Sequence, residues 1–292
     1  MLHLRRSFDL FDMDNLPTEK FADFLRDVQV PGLDLVDIDK ELQRRFFQKG
    51  PNNQPLERWE LKEVEVSCPP QQLKAYLAAC GFMMETQPST RIYDYAAWPG
   101  ALVTRAVVRL NDLVNAWQNG VRWKQTIVFG GKRPLQADKE SYEKCCEAMK
   151  IHPSHTYPKQ SWEAKPPTNE LEMMQWVCQN TMQPFSQEKI TVPPVFVDAP
   201  MKPPIKEGNP PVRPTTEDTV QEWLKSNPKP GSVLLSSGAP YGMAMDEAFW
   251  MLLEPHGFTV ETFGHAAPDL PIENLMREVA GAVNRIRRAR KV

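Results

Sequence analysis

Apolar positions recur at helical spacing through the first ninety residues and in strand-then-helix units thereafter. Asn15-Leu16-Pro17-Thr18 is a helix start for Phe21, Phe24, Leu25 and Val28, and Val36 to Phe47 gives a second short amphipathic stretch. Glu63 to Cys68 alternates as an exposed strand would, and Pro69-Pro70 opens another helix through Leu73, Tyr76 and Leu77. Residues 1–90 therefore read as an α-rich extension packed on the core, and 91–292 as the main domain.

The second pattern begins with a short aromatic strand, Tyr93 to Trp98, followed by a helical face of Val103, Ala106, Val107, Leu110, Val114 and Trp117 that closes at Gly120. Lys124 to Phe129 is a second strand, ending at Gly130-Gly131. A helix from about Asp138 carries Tyr142, Cys145, Cys146 and Met149, and the proline-bearing stretch His152 to Pro167 reads as a loop. Asn169 and Glu172 are spaced to cap a helix with Leu171, Met174, Val177 and Cys178 on its apolar face. Val195-Phe196-Val197 is a third strand, ending at Asp198.

From Pro200 to Pro214 six of fifteen residues are proline, which neither a helix interior nor a central strand accepts, so this is an ordered surface loop or a flexible flap. Thr215 to Thr219 starts a helix with Val220, Trp223 and Leu224 inward. Ser232 to Ser236 and Phe258 to Phe263 are the last strands, and a final helix follows Asp269-Leu270-Pro271. Strands that alternate with helices imply crossovers between parallel neighbours. The expected fold is α/β: a Rossmann-like, doubly wound, mostly parallel five-stranded sheet with helices on both faces.

Composition narrows the function classes. Thirty-five Lys+Arg against 37 Asp+Glu leave a formal charge of -2, without the basic excess that nucleic-acid binders use to neutralise phosphates. The longest apolar run, Ala75 to Met84 counting Gly81, has ten residues, too few for a membrane span, and the opening MLHLRRSFDLFDMD turns acidic where a signal peptide needs its apolar stretch. Five cysteines, odd in number and without a C-x-x-C pair, read as reduced thiols. Cys145-Cys146 with His152 and His155 fits no usual zinc spacing. The expectation is a cytoplasmic protein with neither nucleic acid nor membrane as partner. The basic run Arg285 to Lys291 reads as a solvated helix end favoured by the helix dipole, with nucleic-acid or anionic-membrane contact as its alternative.

Ligands of open parallel sheets bind outside the carboxyl ends of the strands, near the point where strand order reverses. The post-strand residues are therefore the candidates: Arg105 after the first strand; Gly130, Gly131, Lys132 and Arg133 after the second; Asp198 after the third; Ser236-Ser237-Gly238 after the fourth; and His265 after the fifth. Gly130-Gly131 would let backbone amides approach a phosphate or carboxylate, with Lys132 and Arg133 adding charge; the alternative is a tight turn with two exposed bases. There is no Walker A loop, no G-x-G-x-x-G after the first strand and no G-x-S-x-G elbow. Thr215 and Asp218 are positioned to cap a helix, with ligand contact by Glu217 and Asp218 as the second reading. Ser236, His265 and Asp198 all end strands and could form a hydrolytic triad, though residues of such common types are scant support for one.

The ordered motifs resemble the SanA/YdcF-like family, known as domain of unknown function 218. The helix bearing Arg105 and Arg109, the strand ending Ile127 to Gly131, the helix opening Thr168 to Glu172, Thr215-Thr216-Glu217-Asp218, the strand Val233 to Ser237 and the closing helix Leu275 to Gly281 carry the likeness, over roughly Tyr93 to Val292. The resemblance implies a Rossmann-like fold with a polar pocket at the strand ends, drawing on Arg105, Gly130, Gly131, Glu170, Thr215, Asp218 and Ser237, and a small-molecule ligand of nucleotide type. It implies no reaction. Asp218 stands where the family has asparagine, and the family's histidine and arginine after the fourth strand have no counterpart in Gly238 to Met243.

These readings converge on a small polar or anionic metabolite, with a nucleotide or S-adenosylmethionine as candidate cofactors. Arg105, Lys132 and Arg133 would neutralise the anion, and Glu170, Asp198 and Asp218 would hold polar groups or move protons. The alternative is a non-catalytic interaction protein whose extension docks a protein partner through Phe8, Phe11 and Phe46-Phe47. A third reading is a methyl-transferring or hydrolytic enzyme, for which no residue pattern selects the reaction.

Overall fold

The computed structural model describes all residues except 1–9, 13, 33, 51–55, 57–59, 152–153, 155, 182–193, 205–206, 209 and 267–269. Its contacts divide the chain into two compact units. One comprises Met1–Thr86, Gly238–Ala248 and Gly264–Val292, the other Gln87–Ser237 and Phe249–Phe263. In the first unit, α1 (Glu19–Asp27), α2 (Leu35–Phe46) and α3 (Pro70–Ala79) follow the helical periodicity of the sequence. The Asp34 carboxylate accepts from the Val36 and Asp37 amides and so starts α2.

In the second unit, β1 (Ile92–Pro99), β2 (Arg122–Gly131), β3 (Val195–Ala199), β4 (Ser232–Ser236) and β5 (Thr259–Phe263) form one all-parallel sheet in the order β3-β2-β1-β4-β5. The crossovers are α4 (Val103–Gln118) after β1; α5 (Tyr142–Met149), α6 (Thr156–Ala164) and α7 (Glu170–Thr181) after β2; α8 (Thr216–Leu224) after β3; and α9 (Gly242–Leu253) after β4, of which the part from Phe249 onward belongs to this unit. Alternate strand residues serve opposite faces. Ala96, Trp98, Val128 and Leu234 pack with Val107 and Leu110 of α4 and Met173 and Val177 of α7. On the opposite face the Phe129 ring meets Trp223 of α8 and Phe249 of α9 edge-on, at 5.6 and 5.0 Å. Burial on both faces is why the inner strands β1, β2 and β4 contain continuous buried runs. The expected doubly wound α/β architecture is the one observed, and the strand order reverses between β1 and β4.

The closing helix, α10 (Ile272–Arg290), groups with the first unit instead of with the sheet, so the division at residue 90 gives way to a discontinuous one. Its apolar stripe, with Leu275, Met276, Val279 and Val283, is buried with Leu35, Ile38 and Leu42 of α2. Gln43 donates to the Ala280 carbonyl at 2.7 Å and Arg287 pairs with Asp39 at 2.8 Å. The basic run is thus partly built in: Arg290 also donates to the Asn15 side chain and the Phe11 carbonyl at 2.9 and 3.0 Å. Phe11 and Phe46, the aromatics of the docking reading, are only 5% and 2% exposed and belong to this core. Phe47 is half-buried beneath the Arg277 guanidinium, and Phe8 lies outside the described residues.

Three local expectations are corrected. Glu63 to Cys68 forms no strand: Val64 and Val66 turn onto the core and Glu63 and Glu65 outward, but among the described residues no strand pairs with them. The stretch His152 to Pro167 contains α6, which admits Pro158 because a first helical turn needs no amide there. The helix expected from Asp138 begins at Tyr142, where the Ser141 hydroxyl accepts from the Lys144 amide.

Candidate functional site

At the carboxyl end of β1 the chain turns through Gly100 into α4. Arg109, one face-turn along that helix and 2% exposed, donates to the Pro99 and Gly100 carbonyls at 3.1 and 2.9 Å and to Ser237 Oγ at 3.3 Å. Its guanidinium therefore bridges the ends of β1 and β4, where strand order reverses. Ser236 Oγ donates to the Arg109 carbonyl at 2.8 Å. Sequence reading quoted Arg109 only through the resemblance, although the residue falls in register with Ala106 and Leu113 on the buried stripe of α4. A charged residue on an apolar stripe was the available signal.

A second cluster forms beside it. Arg133, expected as an exposed base, is 8% exposed and donates to both Glu140 oxygens at 2.8 and 2.9 Å. Glu170, the first residue of α7, reaches the same guanidinium at 3.3 and 3.4 Å. Two carboxylates thus share one arginine, Glu140 in the close bidentate geometry and Glu170 more loosely. Burial pushes the Glu170 carboxyl above its ordinary value and the charge of Glu140 adds to this, against the attraction of Arg133 and Arg213. Burial opposes the charge of Arg133, but the two carboxylates outweigh it and hold the guanidinium protonated. Glu140 was missed by sequence reading; it lies in an irregular turn where no periodicity marks a buried carboxylate.

The two glycines have a steric role. Gly130 and Gly131 are the last residues of β2, in register with Asp198 and Ala199 of β3. A Cβ on Gly130 would lie 2.7 Å from Leu171 Cδ1, and one on Gly131 2.5 Å from Pro214 Cγ. The space expected for a phosphate is taken by α7 and by the proline-rich loop. Gly100 is equally constrained, since its Cβ would lie 2.7 Å from the Glu170 carboxyl. Lys132 and Asp198 pair with each other at 3.3 Å, both about half exposed. Arg105 lies half-buried in the first turn of α4.

Thr215 and Asp218 form the capping box of α8: the Thr215 hydroxyl accepts from the Asp218 amide and the Asp218 carboxylate from the Thr215 amide. Lys202 of the loop adds an ion pair to Asp218 at 2.7 Å. Burial works against the Asp218 charge, but the bonds from Lys202 and Thr215 prevail and keep its carboxyl below the ordinary value. Its contribution to stability is accordingly full at neutral pH and is lost as pH falls through the carboxylate range. Asp218→Ala is expected to cost about 1–2 kcal/mol at pH 7 through the lost cap and weak surface pair. Thermal unfolding should show that deficit shrinking towards pH 3; a deficit independent of pH would contradict the assignment.

The hydrolytic triad does not assemble. β3 and β4 are three strand positions apart, which puts Asp198 and Ser236 roughly 14 Å from each other. The cysteines are buried core, and burial pushes the Cys145 and Cys178 thiols up to about 12. Among the described residues no group of three or more His, Cys, Asp or Glu is placed to hold a metal ion. No described helix is long and apolar enough to cross a membrane. A cavity of about 10 Å³ lies between Trp98, Leu113, Trp123, Thr126 and Cys178, room for little more than one water. Comparison with protein-family models, with curated proteins and with solved structures gives no match.

Proposed function

We propose that the sheet unit binds a small polar or anionic metabolite at the carboxyl ends of β1 and β2, beside the switch in strand order. One observation carries this reading: Arg109 donates to the Gly100 carbonyl, and the Glu170 carboxyl, itself held by Arg133, stands beside the same glycine. Buried charged groups are costly to maintain, and perturbed carboxyls concentrate at functional sites. Glu170 is the group suited to exchange a proton or a hydrogen bond with a ligand, and Arg105, Lys132 and Arg213 supply positive charge at the rim. The resemblance to the SanA/YdcF-like family supports the same reading, because that family's pocket also lies at the strand ends. The burial of Phe11 and Phe46 weighs against a partner-docking extension.

The test is thermal unfolding of the full chain against millimolar inorganic pyrophosphate, nucleotides, sugar phosphates and S-adenosylmethionine. A ligand at 100 times its Kd stabilises by ~2.7 kcal/mol, and a domain of this size moves roughly 2–4 °C per kcal/mol. A saturable shift of about 5 °C that Glu170→Gln and Arg105→Ala both diminish is the expected result. A panel without a shift would overturn the reading.

Glu170→Gln carries a further expectation without any ligand. A carboxyl whose value is raised by folding destabilises the fold progressively as pH rises from the ordinary carboxylate range through the raised value. Glutamine imitates the protonated group, so the variant should melt above the wild type at pH 7 and together with it near pH 4. A variant that melts lower at pH 7 would show that the charge of Glu170 is needed to balance Arg133.

A further inference from the structure

We infer that residues 210–214 form an autoinhibitory strap that occupies the ligand's place over Gly131; the inference rests on the ligand-binding reading above and concerns the regulation of that site. The Pro214 ring lies where a side chain on residue 131 would stand, with Cγ 2.5 Å from that Cβ position. Only glycine admits this approach, so strap and strand end fit as a pair. The strap is held by a short antiparallel bridge, Lys202 N to the Val212 carbonyl at 2.8 Å and Val212 N to the Lys202 carbonyl at 3.0 Å. Its charged tie is Lys202 to Asp218 at 2.7 Å, and the charge of Arg213 also acts on the Glu170 carboxyl.

This tie is of a kind an anion can outbid. The Lys202 and Asp218 side chains are 40% and 28% exposed, and a pair so hydrated contributes only about 0–1 kcal/mol. The Lys132–Asp198 pair at the neighbouring strand end is more exposed still, at 55% and 45%. A phosphate arriving at the end of β2 would offer Lys132, Lys202 and Arg213 a doubly charged partner in place of single carboxylates. Lifting Pro214 would uncover the glycine backbone at the same time. Lys202, which ties the strap down, and Arg213, which the strap carries, are therefore among the groups that would hold the ligand once it has risen.

Two substitutions lift the strap by different means: Pro214→Gly removes the ring, and Gly131→Ala pushes it away. The measurement is calorimetric titration of the full chain with inorganic pyrophosphate, alongside amide hydrogen exchange. About tenfold tighter binding in both variants, with faster exchange at the Lys202 and Val212 amides, is the expected result. Should either variant fail to fold, Lys202→Ala, a surface change that cuts one tie, is expected to speed the Val212 amide without tightening binding more than threefold, since it also removes a ligand cation. Equal affinity in wild type and lifted variants would overturn the strap and leave the binding site standing. No pyrophosphate binding in any of them would overturn the strap together with the anion site it covers.

Discussion

Arg133→Met is expected to cost about 3–5 kcal/mol, a fall in melting temperature of roughly 10 °C, because it leaves Glu140 buried without its counter-charge. The Glu140 side chain is fully buried, and besides the two bonds from Arg133 it accepts one backbone bond, from the Gln136 amide at 3.0 Å. Glu170 would lose its nearest cation at the same stroke. A second substitution separates charge from packing. Arg133→Met with Glu140→Leu removes both halves of the close pair, and since buried pairs replaced by apolar groups are often near neutral, the double variant should recover most of the loss. The deficit of the single variant should also narrow towards pH 4, because Glu170, whose carboxyl burial already raises, loses the attraction of Arg133 and is relieved by protonation. A single variant within about 1 kcal/mol of wild type would mean that water reaches Glu140, and the cluster would then resemble a surface pair.

The fold could be read from the chain because the inner strands β1, β2 and β4 contain short runs buried on both faces and each crossover is marked by a cap or a glycine. Ser232 to Ser236 matches β4 residue for residue, and Pro99-Gly100 and Gly130-Gly131 mark the ends of β1 and β2. Where periodicity had no partner to act on, it misled: Val64 and Val66 alternate with glutamates yet find no strand to pair with among the described residues. Proline misled in the opposite direction at Pro158, since the rule against helical proline does not apply in a first turn. The strand ends were legible in position but not in wiring. The sequence shows glycines and bases at the strand ends, but whether a glycine clears room for a ligand or for Leu171 and Pro214 depends on residues 41 and 83 positions away. The capping box of Thr215 and Asp218 needed only local geometry and was read correctly as one of two possibilities. The grouping of α10 with α2 was invisible, because an amphipathic stripe shows that a helix is covered without showing by what.

Phe129→Ala should be the most damaging single truncation at the carboxyl edge of the sheet, at about 3–5 kcal/mol, or roughly 10 °C or more in melting temperature. Phe129 is 2% exposed, and its ring is met edge-on by Trp223 and Phe249, at interplanar angles of 89° and 82°. Such aromatic pairs add about 0.5–1.5 kcal/mol each to the burial of the ring. Phe129→Leu, which keeps most of the volume, should cost less than half as much. The backbone of this residue ties the loss to the site: the Phe129 carbonyl accepts from the Gly100 amide at 2.6 Å, and Gly130 follows directly against Leu171. A void beneath Phe129 would therefore loosen the turn that seats Arg109 and Glu170. Amide exchange at Gly100 should quicken in Phe129→Ala before the unit melts, while the Asn119 and Gly120 amides at the far end of α4 stay slow. Uniform acceleration across the sheet would show instead that the unit opens only as a whole, and that the packing under β2 does not set the rigidity of the strand ends separately.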